Sequence, residues 1–316
     1  MKDGFLIASC TGAVCDVPLM MDRPRLLLLG ATGRLGRTLA AHYSPRYEVI
    51  SPRRAELDLA RPETVAQELE HLDFDLAINA AAVTSPDLCE EDPALALRVN
   101  AESAGIVAKV CANRWLRYIH ISTDYVFAGN GCVFLGEESP AVPVNAYGRS
   151  KLAGEQAVLK ANTDALVARV SWLFGPGGGG VPETALQRAK DGQPLGFIED
   201  KWSVPSSTRD IAYWLERLLT DLSSVKGLLH LCNTGVATWR DYAQVSLDLA
   251  HQHGVLDRPH LTQGLRLHDF PQFKAVRPPF TVMSNSRLSF LLGESPRRWQ
   301  DALEEHILEL RSKHGS

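Results

Sequence analysis

Short apolar runs alternate with helix-like stretches along most of this 316-residue chain. Residues 25–29 form a compact apolar run that ends at Gly30, the pattern of a buried parallel strand entering a glycine turn. Residues 35–42 then read as a helix, 47–50 as a second strand, 63–70 as a second helix, and 75–79 as a third strand running into Ala80-Ala81-Ala82. The alternation continues with a long helical stretch over 94–111, a strand over 118–121, a helix over 151–159 and a strand over 166–170. Residues 210–219 read as a helix and 228–231 as a strand that returns the chain to the sheet. Short strands separated by helices predict an α/β protein built on a doubly wound parallel sheet. Two interruptions stand out. The run Gly175-Pro176-Gly177-Gly178-Gly179-Gly180 predicts a loop that moves, and the proline-broken stretch 271–279 separates two helices in the last third.

Composition narrows the class. With 45% hydrophobic and 22% charged residues the chain has enough apolar side chains for a large core. A formal charge of −4 leaves no basic stripe for nucleic acid and no polybasic patch for anionic lipid. No run approaches the roughly 20 apolar residues of a membrane span. The six cysteines form neither Cys-x-x-Cys pairs nor a cluster with histidine, so free thiols in a reducing cytoplasm, and no metal site, are expected. Ile7-Ala8-Ser9-Cys10 has the look of a lipoprotein cleavage box. The apolar stretch before it is shorter than the roughly 7–15 residues an export signal needs, and residues 1–23 read as an extension, or a misplaced start ahead of Met20-Met21.

The candidate chemistry sits where the strands end. Gly30, Gly33 and Gly36, with Thr32, Arg34 and Leu35 between them, follow a strand and open a helix. In that context backbone N–H groups and a helix N-terminus face a pyrophosphate; the competing reading is a tight turn that binds nothing. About 20 residues on, where an acidic residue would bond the adenosine ribose, the chain has Ser51, Arg53 and Arg54. Guanidinium groups there favour a 2′-phosphate, hence NADPH with NADH as the alternative, although exposed arginine pairs are also ordinary surface. Asp58, beside Leu59, suits an adenine amino group or the cap of the next helix. The small side chains of Ala80, Ala81 and Ala82 allow either close approach of a cofactor or close packing. Tyr147 and Lys151 stand four apart, on one face of a helix, where an ammonium beside a phenol lowers its pKa from the usual value of about 10. Ser122 and Thr123 end the fourth strand, placing hydroxyls where a substrate carbonyl would be oriented.

Gly-x-x-Gly-x-x-Gly, Asn-Ala-Ala-Ala, Ser-Thr-Asp-Tyr-Val-Phe and Tyr-x-x-x-Lys, in that order, resemble the extended short-chain dehydrogenase/reductase superfamily. Within it, residues 122–127, 147–155 and 169–175 are similar to dTDP-4-dehydrorhamnose reductases, and the likeness runs from about residue 25 to 307. The resemblance implies a Rossmann part (24–175 with 203–235) and a smaller substrate-binding part (176–202 with 236–316). It implies Thr123, Tyr147 and Lys151 as the catalytic triad, with Thr123 rather than Ser122 holding the carbonyl and Lys151 also binding the nicotinamide ribose. It further implies hydride transfer from NADPH to the C4 ketone of a nucleotide-linked sugar, with Tyr147 supplying the proton. Asn100 joins the cofactor residues; Thr84, Asp87, Asp124 and Trp172 join the substrate side, Trp172 against the sugar or simply in the core. A homodimer is the expected assembly.

Two departures matter. Asp200-Lys201-Trp202-Ser203-Val204-Pro205 replaces a stretch in which relatives carry glutamine and glycine, and the Gly177–Gly180 run would widen or loosen the mouth of the site. Two other functions share these motifs: a non-catalytic NADP-binding regulator similar to the beta subunit of methionine adenosyltransferase, and an epimerase or dehydratase that keeps its nicotinamide.

Overall fold

The computed structural model describes residues 23–314; the leading extension, with its cleavage-box resemblance, lies outside the described residues. Strands β1 (Arg25–Leu29), β2 (Glu48–Ile50), β3 (Leu76–Asn79), β4 (Arg117–Thr123) and β5 (Leu166–Val170) join a sixth strand, Gly227–His230, in one sheet. All pairings are parallel, in the order Gly227–His230, β5, β4, β3, β1, β2. The chain leaves β1 for β2 on one side and then crosses to β3 on the other. The carboxyl ends of β1 and β3 therefore flank the crevice where open sheets of this kind bind ligands.

Period-two alternation distributes the apolar run of β1 over two cores. Leu26 and Leu28 join one buried cluster with Leu35, Leu39 and Tyr43, the inward stripe of helix α1 (Arg34–Tyr43). Leu27 and Leu29 join the opposite cluster with Val65 and Leu69 of α2 (Pro62–Glu70) and Val107 and Ala108 farther along. Helices α3 (Pro86–Glu91) and α4 (Pro93–Leu97) each begin with a proline behind a capping side chain, Ser85 and Asp92. The expected long helix is present as α4, a π turn over Arg98–Glu102, and α5 (Ser103–Asn113). The π turn carries the buried Asn100.

Helix α6 (Ala146–Ala161) starts five residues earlier than the pattern suggested, because Asn145 caps it: its Oδ1 accepts from Gly148 N at 2.8 Å. Beyond β5, helices α7 (Val181–Lys190), α8 (Thr208–Leu219), α9 (Trp239–Gln252), α10 (Ser286–Leu292) and α11 (Trp299–His314) complete the chain. Helix α8 closes one face of the sheet through Ile211, Trp214 and Leu215. A third cluster of Phe174, Leu186, Tyr242, Leu247, Trp299 and Leu303 lies among α7, α9 and α11. Among the described residues no helix is long and apolar enough to cross a membrane, and no three His, Cys, Asp or Glu side chains gather as metal ligands would.

The turn after β1 is set by backbone contact. Gly30 has φ +80°, and a Cβ there would lie 2.5 Å from Ala81 N; one on Gly36 would lie 2.0 Å from Gly30 O. Gly33 has room, its nearest atom being 3.4 Å away. Gly36→Ala should therefore cost about 1–3 kcal/mol in denaturant unfolding and Gly33→Ala clearly less. Equal losses would show that the turn is not held by this contact.

Candidate active site

A cavity of about 640 Å³ opens at the carboxyl ends of β1, β3, β4 and β5. One end is the turn: Gly30, Thr32, Gly33, Arg34, Leu35 and Gly36 line it, with the first N–H groups of α1 at its floor. Ala80, Ala81 and Ala82 form the adjoining wall, close and flat because none has a side chain beyond Cβ. Asn79, wholly buried, shapes that wall by accepting from Ala81 N at 3.0 Å. The small side chains and the space over Gly33 suit a dinucleotide pyrophosphate, which needs backbone donors at close range.

The opposite wall brings together Thr123, Asp124, Tyr147, Lys151, Trp172 and Thr84. Helix α6 lies against the segment after β4 so closely that a Cβ on Gly148 would stand 2.1 Å from Tyr125 O. That contact brings Tyr147 onto the wall that Thr123 also lines. Thr123 also donates to Asp124 Oδ1 at 3.1 Å. Ser122, by contrast, donates to Glu155 Oε1 at 2.5 Å, and Glu155 is held by Arg169 through bonds of 2.8 and 2.6 Å. The Ser122 hydroxyl is therefore committed to a buried ion pair, while Thr123, which also accepts from Tyr125 N at 3.3 Å, shares the cavity wall with the phenol.

Lys151 does not do what its spacing suggested. Its Nζ donates to Ile121 O at 2.7 Å and to His120 Nε2 at 3.2 Å. Burial lowers its pKa to about 8, against the opposing pull of Glu155. The same burial, with the nearby ammonium adding to it, holds His120 neutral, which is what leaves Nε2 free to accept. Burial raises the Tyr147 phenol well above its ordinary value, opposed by the Thr123 hydrogen bond. Desolvation thus sets the direction, and the ammonium four residues away is turned to Ile121 O and His120 instead.

Six expected site residues lie off the wall of this cavity. Arg53 and Arg54 are exposed and pair with Glu56 and Asp58. Asp58 caps its own turn, accepting from Ala60 N at 3.0 Å, and α2 begins only at Pro62, so it caps no helix. Leu59 is buried in the core, and its carbonyl accepts from Ser103 Oγ at 2.7 Å. Asp87 clamps the proline-rich segment, accepting from Ala275 N at 2.9 Å and Arg277 Nη2 at 2.7 Å. Asn100 accepts from Val83 N at 2.8 Å and donates to Val83 O at 3.1 Å and Ser150 Oγ at 2.9 Å. It splints the loop after β3 to α6.

Sequence reasoning passed over Pro86, Ile121, Tyr125, Val170, Ser171 and Leu173, all on the wall. Their signal was present: Ile121, Tyr125, Val170, Ser171 and Leu173 each lie within three residues of a strand end, and Pro86 follows closely on Thr84. The glycine run is also tied down. Arg34 donates to the carbonyls of Leu173 and Gly179, and to Gly178 O at 2.8 Å, while Arg37 reaches Gly177 O at 3.2 Å. Donors on α1 thus hold over the turn a loop that composition alone suggested would be loose.

Sheet order, glycine turn and the Thr123–Tyr147–Lys151 grouping define an extended short-chain dehydrogenase/reductase. The family model described as RmlD substrate binding domain matches residues 24–312, and the chain belongs to that family. It is 32% identical to the dTDP-4-dehydrorhamnose reductase of Burkholderia thailandensis, over 92% of this chain and 100% of that one. It is 30% identical to the spore coat polysaccharide biosynthesis protein SpsK of Bacillus subtilis, over 91% and 98%. The crystal structure of dTDP-4-dehydrorhamnose reductase from Bacillus anthracis in complex with NADP superposes with a TM-score of 0.83 at 27% identity, covering 91% of this chain and 99% of that one.

If Asn100 is a splint, Asn100→Ala removes the acceptor of the half-buried Val83 N–H and the amide donor to the buried Ser150 hydroxyl. Denaturant unfolding should then show a loss of about 2 kcal/mol or more. Unchanged stability would contradict the assignment.

Proposed function

We propose that this chain uses NADPH to reduce the C4 ketone of a nucleotide-linked 4-keto sugar, with dTDP-4-dehydro-L-rhamnose as the first candidate. The observation that carries the reading is the meeting of Thr123, Tyr147 and Lys151 on one wall of a cavity whose far end is the glycine turn. The names of the Burkholderia thailandensis and Bacillus anthracis proteins support the same reading, and the NADP of the latter supports the cofactor.

When bound, NADPH supplies the hydride. The turn at Gly30–Gly36 would receive its pyrophosphate, Ala80–Ala82 would let it lie close to the sheet, and Lys151 would bond the nicotinamide ribose. Arg53 and Arg54 are themselves exposed and their ion pairs are local, so a 2′-phosphate can compete for them. Tyr147 holds the proton for the alkoxide oxygen, and its raised pKa keeps that proton in place until an oxyanion forms beside it. Thr123 orients the carbonyl.

Trp172 supports a substrate wall over a plain core residue. Its backbone is left-handed at φ +38°, and its buried indole N–H has no partner among the described residues. Its ring lies 5.9 Å from Trp239, beyond which Phe270, Phe273 and Phe197 line a separate cavity of about 330 Å³. An aromatic surface of that size suits a planar base.

Purified protein should oxidise NADPH when given dTDP-4-dehydro-L-rhamnose. Cofactor binding without turnover across a set of nucleotide-linked keto sugars would instead favour the regulatory reading. Tyr147→Phe should lower kcat by about 100-fold or more while NADPH affinity stays within about twofold. Activity like that of the parent chain in this variant removes the phenol from the mechanism. Because Lys151 loses its proton above about pH 8, NADPH affinity should weaken as pH rises through that value. Lys151→Arg, which stays charged, should remove that limb in a titration of the free protein.

A further inference from the structure

Residues 200–205 place Lys201 behind the cavity wall. Its side chain is wholly buried, and Nζ donates to Pro278 O at 2.7 Å. It lies 4.8 Å from the ring centroid of Tyr125 and 5.8 Å from that of Trp172, two residues of the cavity wall. The Tyr125 ring in turn meets the Tyr147 ring edge-on at 5.5 Å. Within electrostatic reach of the ammonium is Asp124, itself buried and ringed by three hydroxyl donors. Thr281 Oγ1 donates at 2.5 Å, Ser203 Oγ at 2.9 Å and Thr123 Oγ1 at 3.1 Å.

A carboxylate that accepts three hydroxyls and has no ion-pair contact among the described residues needs a compensating charge. The other charged or titratable groups facing this pair are Arg277, paired with Asp87, the phenols of Tyr125 and Tyr147, and the Cys232 thiol. Arg277 is already neutralised by Asp87, which leaves Lys201 as the cation that balances Asp124.

We propose that Lys201 is a positioning residue for the Thr123 hydroxyl: its buried ammonium keeps Asp124 an acceptor, which draws the Thr123 hydrogen toward Asp124 and leaves the Thr123 oxygen to accept from the Tyr147 phenol. The hydroxyls then run one way, Tyr147 to Thr123 to Asp124. Burial raises the Asp124 pKa above the ordinary carboxylate value, and Lys201 together with the three donors opposes that rise without cancelling it. Without the ammonium, Asp124 takes a proton from solvent, its hydroxyl donates to Thr123, and the phenol loses its acceptor.

The part of this inference that concerns turnover rests on the ketoreductase reading; the ionisation of Asp124 does not. Lys201→Gln keeps a donor for Pro278 O and removes the charge, and Lys201→Met removes both. Infrared difference spectra across a pH titration, with Asp124→Asn to assign the band, should show the Asp124 midpoint at least one pH unit higher in both variants. Thermal melts and NADPH titration identify any variant that has not folded. In the assay with dTDP-4-dehydro-L-rhamnose, kcat should fall at least tenfold in both while KM for NADPH stays within twofold. An unmoved Asp124 midpoint in folded Lys201→Gln overturns the proposal whether or not the chain turns over. A moved midpoint with kcat unchanged overturns the positioning role and leaves the ketoreductase reading intact.

Discussion

Two ammonium groups are buried beside one cavity, and the arrangement of the site follows from what it takes to keep them there. Removing an ammonium from water costs several kcal/mol even after relaxation, so each needs fixed acceptors and an opposing charge. Lys151 has Ile121 O, the neutral His120 and the field of Glu155; Lys201 has Pro278 O, two aromatic faces and the field of Asp124. Those partners come from β4, α6 and the proline-rich segment after residue 271, so the charges draw distant parts of the chain to one wall. Glu155 in turn needs Arg169 on β5, and Asp124 needs Ser203 and Thr281.

This demand for partners explains which parts of the site could be read from residue order. Gly30 to Gly36, Ala80 to Ala82 and the pair Tyr147 and Lys151 were legible because each is local: a strand end, a turn, two positions on one helical face. For Asn100, Asp87 and Asp58 residue order left the partners open. Asn100 and Asp87 have the polar character of a ligand-binding group, yet their partners, Val83 with Ser150 and Ala275 with Arg277, lie 17 to 190 residues away. Asp58 binds its own turn, two residues on, which is indistinguishable in sequence from a cap.

Environment overturned one expectation and added partners to the stretch behind another. Spacing alone put an ammonium next to a phenol and suggested a lowered pKa, whereas full burial of Tyr147 raises it. Four consecutive glycines suggested a loose mouth, whereas Arg34 and Arg37 supply the donors that their carbonyls need. The central sheet fared better, because short apolar runs separated by helices, the inner ones buried on both faces, leave few alternatives to a parallel stack.

By itself, residue order determined the α/β alternation, the glycine turn at the end of β1 and the helical face shared by Tyr147 and Lys151. These are consequences of periodicity and of backbone sterics, which act over a few residues. Tertiary structure alone decided that Ser122 is committed to Glu155, that Lys201 stands behind Asp124, and that Lys151 bonds a neutral imidazole. Hydrogen bonds and desolvation at those positions depend on atoms brought together from remote parts of the chain, and no local pattern encodes their distances.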